Sequence, residues 1–379
     1  MKKIGILVIN NHSRSGGISQ YTESLIDALS EDKSNHYVIF CNDNRFVSSK
    51  FEIRKIKKFN ENILSPLRKI QYIFGIQQPF TIPKKEQKLY ADIDLFISPV
   101  PNLYPHYFLK KSFIFTLHDM QEMYYPEFFN IRERIIRRLK NKLLVRHAEK
   151  ILCESNYVKG DIQRFLNTDE SKISVIASPP PKCFLNFVFN EENFEKVKKK
   201  YNLPEFFIFY PANYWRHKNH NLLIDAFSNV IKKYPNIHLV LSGSLNNNLK
   251  EYERKINSHN LENKVHHIGF IDYIDLPYLY KLSQFLVMPS LFESISIPIF
   301  EAFSLKVAVC SSNVFGVKDQ VGKAGLTFDP LNIDDIDNKI SLYLEDKKLI
   351  NKMGISGFKK FMGLSHEKYK RELLKIINS

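Results

Sequence analysis

The stretch that decides the fold is Ser290-Leu291-Phe292-Glu293-Ser294-Ile295-Ser296-Ile297-Pro298-Ile299-Phe300-Glu301-Ala302. It follows a short apolar run at 285–288, Phe-Leu-Val-Met, which reads as a buried parallel strand. It leads into an apolar segment that reads as a helix. Pro298 stands as the first helical residue, where a missing N–H costs nothing. Two carboxylates therefore flank a strand-to-helix turn, Glu293 in the turn and Glu301 in the first helical turn. Unpaired N–H groups at a helix start suit a phosphate, and a Glu in the first turn can hold two ribose hydroxyls. A Glu at a helix start is equally well explained by the helix dipole. The turn alone leaves both readings open.

Working outward, strand and helix patterns alternate along the whole chain, the mark of parallel α/β layers. In the first half, strands are expected at 4–9, 37–41, 95–98, 113–117, 151–154 and 173–177. Helices are expected at 18–29 and 131–150, and from Ser155 as a cap through 165. Residues 50–90 show no clear period. Ser178-Pro179-Pro180-Pro181 breaks the rhythm and, with the irregular aromatic stretch and the charged run 195–200 that follow, reads as the linker. The second half restarts with strands at 206–210, 237–242, 265–270, 285–288, 307–311 and 326–329. Its helices are expected at 219–233, 249–258 and 275–283, with further helices running to the C-terminus.

Of 379 residues, 44% are hydrophobic, enough for two cores, and the net charge of +15 favours an anionic partner. Aromatics are not interleaved with the cations of 50–70 and 131–150, which argues against nucleic acid. The four cysteines, Cys41, Cys153, Cys183 and Cys310, are scattered, as expected of a reducing cytoplasm with no zinc site. The apolar run at the start is short and reads as a core strand, not a signal peptide. No run approaches the roughly 18 apolar residues of a membrane span. On 131–150, Ile131, Ile135, Leu139 and Leu143 share one face and seven Arg and Lys residues occupy much of the rest. That pattern fits either a solvated face or a helix lying on anionic lipid.

Other polar features fall at expected strand ends, where open parallel sheets bind ligands. Trp215-Arg216-His217-Lys218-Asn219 could neutralise a leaving diphosphate, or could be a solvated basic loop. Arg14-Ser15-Gly16-Gly17-Ile18 could let a backbone approach a phosphate, or could be a plain turn; it is not the Gly-x-Gly-x-x-Gly fingerprint. His118, in Thr116-Leu117-His118-Asp119, could bond a sugar or serve structure alone. Gly243 and Phe270, in Ser242-Gly243-Ser244 and Gly269-Phe270, could shape a base pocket or be ordinary turns.

Taken together these residues resemble a family-4 glycosyltransferase of the GT-B fold, over nearly the whole chain. The carriers are Glu293 and Glu301 as a Glu-x7-Glu pair with Pro298 between them, the block from Tyr210 to His220, the segment after Thr116, and the Gly16-Gly17 loop. The 210–220 block is similar to that of bacterial polysaccharide mannosyltransferases. The resemblance implies an α/β protein of two Rossmann-like parallel-sheet domains facing a central cleft. Residues 1–185 would bind the acceptor and 200–364 the nucleotide sugar, with a helix at 365–379 returning to the first domain.

It further implies a retaining, metal-independent transfer, with no cofactor beyond the nucleotide-sugar co-substrate. Asp92-Ile93-Asp94 precedes a strand, so it is no substitute for a metal-binding Asp-x-Asp. Lys218, with Arg216, would meet the diphosphate, and Glu293 the donor sugar. Glu301 would hold the ribose. Asn213, Gly243 and Phe270 would complete the donor side, with backbone N–H groups at Ser296 and Ile297. Gly16 and Gly17 would approach the diphosphate, and His118 would line the sugar. The implied reaction moves a hexose, mannose from GDP-mannose by preference, to a lipid-linked or growing glycan in lipopolysaccharide O-antigen synthesis. It would take place in the cytoplasm at the inner face of the membrane. The alternatives are a UDP-sugar donor, a sugar-nucleotide epimerase of the same architecture, or a noncatalytic lectin-like homologue. The chain departs from the family pattern in having Ser294 and Ser296 where glycines are usual, and Ala212-Asn213 where many members carry an Arg.

Overall fold

The computed structural model describes residues 1–8, 16–42, 50–56, 87–107, 109–245 and 248–379. They form two compact units, Met1–Ser178 with His366–Ser379, and Pro179–Ser365.

The first unit is a seven-stranded parallel sheet of β1 (Lys3–Val8), β2 (His36–Cys41), β3 (Glu52–Lys55), β4 (Leu95–Ser98), β5 (Ser112–Thr116), β6 (Lys150–Cys153) and β7 (Ile173–Val175), in the order β3-β2-β1-β4-β5-β6-β7. Its main helices are α1 (Gly16–Ser30), α2 (Ile131–His147) and α3 (Asn156–Leu166). Strand side chains alternate between two cores. Ile4, Ile6 and Val8 pack with Leu25 and Leu29 of α1. Leu7, Phe96 and Phe115 pack with Leu144, Val158 and Ile162 of α2 and α3. Ser155 caps α3 by accepting the Val158 N–H.

The second unit has six parallel strands, β8 (Phe207–Pro211), β9 (His238–Ser242), β10 (Val265–His267), β11 (Leu286–Met288), β12 (Val309–Ser312) and β13 (Leu326–Phe328), ordered β10-β9-β8-β11-β12-β13. Its main helices are α4 (Glu191–Lys200), α5 (His220–Lys233), α6 (Leu249–Ser258), α7 (Leu276–Leu282), α8 (Ile297–Ser304), α9 (Phe315–Val321), α10 (Ile333–Glu345) and α11 (Lys347–Phe361). Phe207, Ile208, Phe209 and Tyr210 are all fully buried, because β8 is covered on both faces. In each sheet the order reverses beside the strand that begins it, at β1/β4 and at β8/β11.

Three expectations change. Residues 179–185 belong to the second unit, not to a first domain of 1–185. The reason is Phe184, which is buried in that unit and meets the Tyr280 ring edge-on at 5.6 Å. The basic helix ends at His147 because Lys150 already begins β6. Its buried residues are Asn141, Leu144 and Val145, whereas Ile131 and Ile135 are exposed. The strand Glu52–Lys55 and the helix Phe315–Val321 were not anticipated. The former is four mostly polar edge residues, and the latter is seven residues with no helical period.

The final helix, α12 (His366–Asn378), belongs to the first unit. Tyr369, Leu373 and Ile377, spaced four apart, enter the core that holds Leu25. Lys2 Nζ donates to the Ile377 carbonyl at 3.0 Å.

The helix that carries Glu301, α8, and the turn that follows it pack against α11 through two glycines. A Cβ on Gly354 would lie 2.2 Å from the Lys306 carbonyl, and one on Gly357 2.2 Å from the Phe303 ring. Alanine in an open helix would gain about 1 kcal/mol, but forcing α11 off α8 costs about 1–3 kcal/mol. Gly354→Ala is therefore expected to lower the melting temperature, measured by circular dichroism, instead of raising it.

Candidate functional site

In the second unit, the loops after β8 and β11 lie side by side at the strand-order reversal, the usual ligand crevice of an open parallel sheet. The β8 loop is first pinned to the β9 loop. Asn213 Oδ1 accepts the Ser244 N–H at 2.7 Å, and Tyr214 N–H donates to the Ser244 carbonyl at 2.7 Å. Gly243 sits at φ +114°, and a Cβ there would lie 2.8 Å from the Ala212 backbone. This glycine is accounted for by backbone contact, without a ligand.

The loop then makes one 3-10 turn, Arg216–Lys218, and ends at Asn219 in the left-handed region at φ 57°. Asparagine tolerates that conformation, and here its side chain also works. Its amide donates to the carbonyls of Pro289 at 3.1 Å and Pro330 at 2.8 Å. Tyr210 donates its hydroxyl to the Lys218 carbonyl at 2.8 Å, and Leu291 N–H donates to the His217 carbonyl at 2.7 Å. The β8 loop is thereby sewn to the β11 loop.

Lys218 Nζ forms a hydrogen-bonded ion pair with Glu293 Oε1. Both side chains are largely buried, 23% and 12% exposed, so the pair is only partly screened by water. Arg216 is exposed. Burial, and then the charge of Lys218, pushes His217 down to about 3. Burial likewise pushes His220 down to about 3, and its ring stacks on Tyr214 with centroids 4.4 Å apart. Both rings are neutral at pH 7, so the basic loop carries two cations, Arg216 and Lys218.

The β11 turn contains no residue in the left-handed region. Ser296 has φ −121°, so serine is accommodated where the family usually has glycine. Three expectations are corrected here. Pro298 is the second helical residue, after Ile297, and Glu301 is the fifth, beyond the first turn of α8. The Ser296 N–H is not open to a ligand, since it donates to Gln320 Oε1 at 2.8 Å. Glu301 is only 1% exposed, and its carboxylate accepts the Tyr280 hydroxyl at 2.7 Å. Ile297 is buried and Phe270 is half exposed.

In the first unit, Gly16 opens α1 at φ +52°, and Gly17 beside it is exposed. Arg14 and Ser15 lie outside the described residues. His118, just after β5, has both ring nitrogens engaged. Nε2–H donates to the Pro99 carbonyl at 2.8 Å, and Nδ1 lies 3.0 Å from Glu154 Oε2. A carbonyl and a carboxylate facing the two nitrogens favour an N–H on each, and so the protonated ring. Burial alone would lower its pKa, but the hydrogen bond and charge of Glu154 outweigh it and raise it. Tyr21 meets the ring edge-on at 4.8 Å.

The sequence reading missed Gln320, Tyr280 and Glu154. Glu154 stood beside a recognised cap, Ser155; nothing in the local pattern marked the other two. Among the described residues there is no group of three His, Cys, Asp or Glu side chains placed to hold a metal. Among them no helix is long and apolar enough to cross a membrane.

Each of the two units matches a family of known proteins. The family described as Glycosyltransferase Family 4 matches residues 15–179, and Glycosyl transferases group 1 matches 191–360. The chain is a glycosyltransferase of this two-domain family. It is 26% identical to O-antigen chain mannosyltransferase B of Escherichia coli over 299 residues, 74% of each chain. It is 27% identical to O-antigen chain mannosyltransferase RfbU of Salmonella typhimurium over 54% of this chain and 53% of that one. Its match to the Escherichia coli serotype-specific mannosyltransferase WbdA spans 53% of this chain but only 25% of that longer protein. Among solved structures, Anabaena Alr3699/HepE in complex with UDP-glucose superposes with a TM-score of 0.79 at 16% identity, covering all of both chains. WaaG, a glycosyltransferase involved in lipopolysaccharide biosynthesis, gives 0.71 at 13% identity over 99% of each. Both share the GT-B fold with this glycosyltransferase.

The His118–Glu154 pair carries a pH dependence. With the histidine pKa raised in the fold, its stabilisation is complete below the unfolded value of about 6.5 and is lost as pH rises through the folded value. Glu154→Gln keeps the shape and removes the charge, and should cost about 1–3 kcal/mol below that value. The melting-temperature gap between the wild type and Glu154→Gln should narrow as pH rises from about 6 to about 9.

Proposed function

We propose that this glycosyltransferase is a retaining, metal-independent enzyme that takes a hexose from a nucleotide sugar, with GDP-mannose the preferred donor. The acceptor would be a lipid-linked or growing glycan of a bacterial surface polysaccharide. The observation that carries the reading is the Lys218–Glu293 pair at the β8/β11 reversal. It sets a cation and an acceptor carboxylate side by side at the sheet's ligand-binding end. Two named O-antigen mannosyltransferases among the relatives support mannose. A UDP-sugar is the second reading, supported by a fold neighbour solved with UDP-glucose.

In this scheme the donor diphosphate draws Lys218 from Glu293, and the freed carboxylate accepts hydroxyls of the transferred sugar. As the bond from the anomeric carbon to the phosphate oxygen breaks, Lys218 and Arg216 stabilise the growing negative charge. The acceptor hydroxyl bonds to the same face of the anomeric carbon and gives its proton to the departing phosphate oxygen. The configuration is thus kept. Glu301 is assigned the ribose, its enclosed carboxylate exchanging the Tyr280 hydroxyl for the ribose hydroxyls while the turn before it stays in place. His118, with both ring nitrogens already engaged by Pro99 and Glu154, is not given a bond to the sugar in this scheme.

The exposed start of α2, with Ile131 and Ile135 among Arg132 and Arg134, is proposed to rest on anionic lipid at the inner face of the membrane.

The test pairs binding with turnover. GDP is expected to raise the melting temperature by mass action and UDP to leave it unmoved; the reverse would reassign the donor. Lys218→Ala should lower kcat about 10²–10³-fold in a transfer assay, as for other lost transition-state charge contacts. Unchanged rates in both Lys218→Ala and Glu293→Ala would remove this site.

A further inference from the structure

The turn between Glu293 and Glu301 is held from outside by one face of a short helix. α9 presents Gly316 and Gln320, four residues apart and so on one side of the helix. Gly316 lies against the Ser294 carbonyl so closely that a Cβ there would be 1.9 Å from its oxygen. Gln320 takes both polar atoms flanking the Ser296 side chain. Its Oε1 accepts the Ser296 N–H at 2.8 Å, and its Nε2 donates to the Ser296 carbonyl at 2.6 Å. Both residues are buried, at 8% and 2% exposure. The amide acts as a piece of neighbouring strand, paired to a residue that has no strand beside it.

We propose that Gln320 is a positioning residue for sugar transfer. By clamping Ser296, and with Gly316 packed against Ser294, it fixes the turn that aims the Glu293 carboxylate. The proposal rests on the reading of Glu293 and Lys218 as the donor site. The chemistry it demands is narrow: one acceptor and one donor, coplanar, at glutamine length. Leucine supplies neither. Glutamate supplies both only as the neutral acid, whose carbonyl oxygen accepts the Ser296 N–H and whose O–H donates to the Ser296 carbonyl. Once ionised, it has no donor and turns a charged oxygen towards that carbonyl's lone pairs.

The experiment compares the wild type, Gln320→Leu, Gln320→Glu and Glu293→Ala, each assayed well below its own melting temperature. Three quantities are measured between about pH 5.5 and about pH 8.5: kcat and KM for sugar release from GDP-mannose or UDP-glucose, whichever the wild type uses; the affinity for the matching nucleoside diphosphate; and exchange of the 294–297 amides by mass spectrometry. Gln320→Leu should lose at least tenfold in kcat/KM and expose the 294–297 amides to exchange. Gln320→Glu should stay within about threefold of wild type at the acid end and fall towards the leucine variant as pH rises. Nucleoside diphosphate affinity should change less than threefold in both. The proposal is overturned if Gln320→Glu keeps a constant ratio to wild type across the range, or if turnover and diphosphate affinity fall together in both variants. It is also overturned if amide exchange is unaltered in Gln320→Leu. Full activity in Glu293→Ala would instead overturn the donor-site reading, and the amide-exchange comparison would still decide whether Gln320 fixes the turn.

Discussion

A lysine and a glutamate drawn together from two adjacent parallel strands set the terms for the rest of the second unit. Taking both charges largely out of water costs more than their attraction returns unless geometry and surrounding hydrogen bonds are good. The structure meets that condition by tying the two loops to each other before the charges meet. Asn219 bonds across to the Pro289 carbonyl, Tyr210 meets Ser290 Oγ at 3.3 Å, and Leu291 bonds back to the turn that presents Lys218. The pair is possible only because β8 and β11 are neighbours, and they are neighbours only because strand order reverses there. Topology places the residues, and the loop bonds aim them.

The same economy explains how the β11 turn manages without glycine. A glycine turn derives its shape from conformational freedom and must be held by its ligand or its surroundings. With Ser294 and Ser296 the backbone stays in ordinary regions, and the shape is imposed from outside by Gly316 and Gln320 of α9. The glycine has in effect moved from the turn to the helix that packs on it. The helix beyond the turn is fixed in its own way. Tyr280 bonds Glu301 beneath it, and Gly354 and Gly357 bring α11 against its far side.

Much of this architecture was legible in the sequence, for identifiable reasons. Buried strands such as Phe207–Pro211 are continuous apolar runs, and Ser155 is a cap with a helix behind it. The turn from Ser290 was readable because strand, proline and helix follow without interruption. Illegible were the features that depend on partners far along the chain. Gln320 sits 24 residues from Ser296 and Glu154 36 residues from His118, with no periodicity to relate them. Burial was equally hidden: Glu301 shares a motif with Glu293, yet one is enclosed beside a tyrosine and the other meets a lysine. The helix Phe315–Val321 escaped because seven residues are too few to display a period.

Charge shows most clearly why residue type is a poor guide without surroundings. The chain carries a formal net charge of +15, and its richest basic segments lie away from the β8 and β11 loops. In the β8 loop, burial strips the proton from His217 and His220, leaving Lys218 as the part-buried cation beside Glu293. After β5 the same residue type goes the other way, because His118 faces the Glu154 carboxylate and the Pro99 carbonyl at once. Burial thus lowers the pKa of His217 and His220, while the carboxylate of Glu154 raises that of His118. An uncharged His217 beside Lys218 adds no competing positive charge to the ion pair that Lys218 makes with Glu293. Lys218 is thus the part-buried cation of the loop and Glu293 the carboxylate that answers it, so neither charge is left buried and alone.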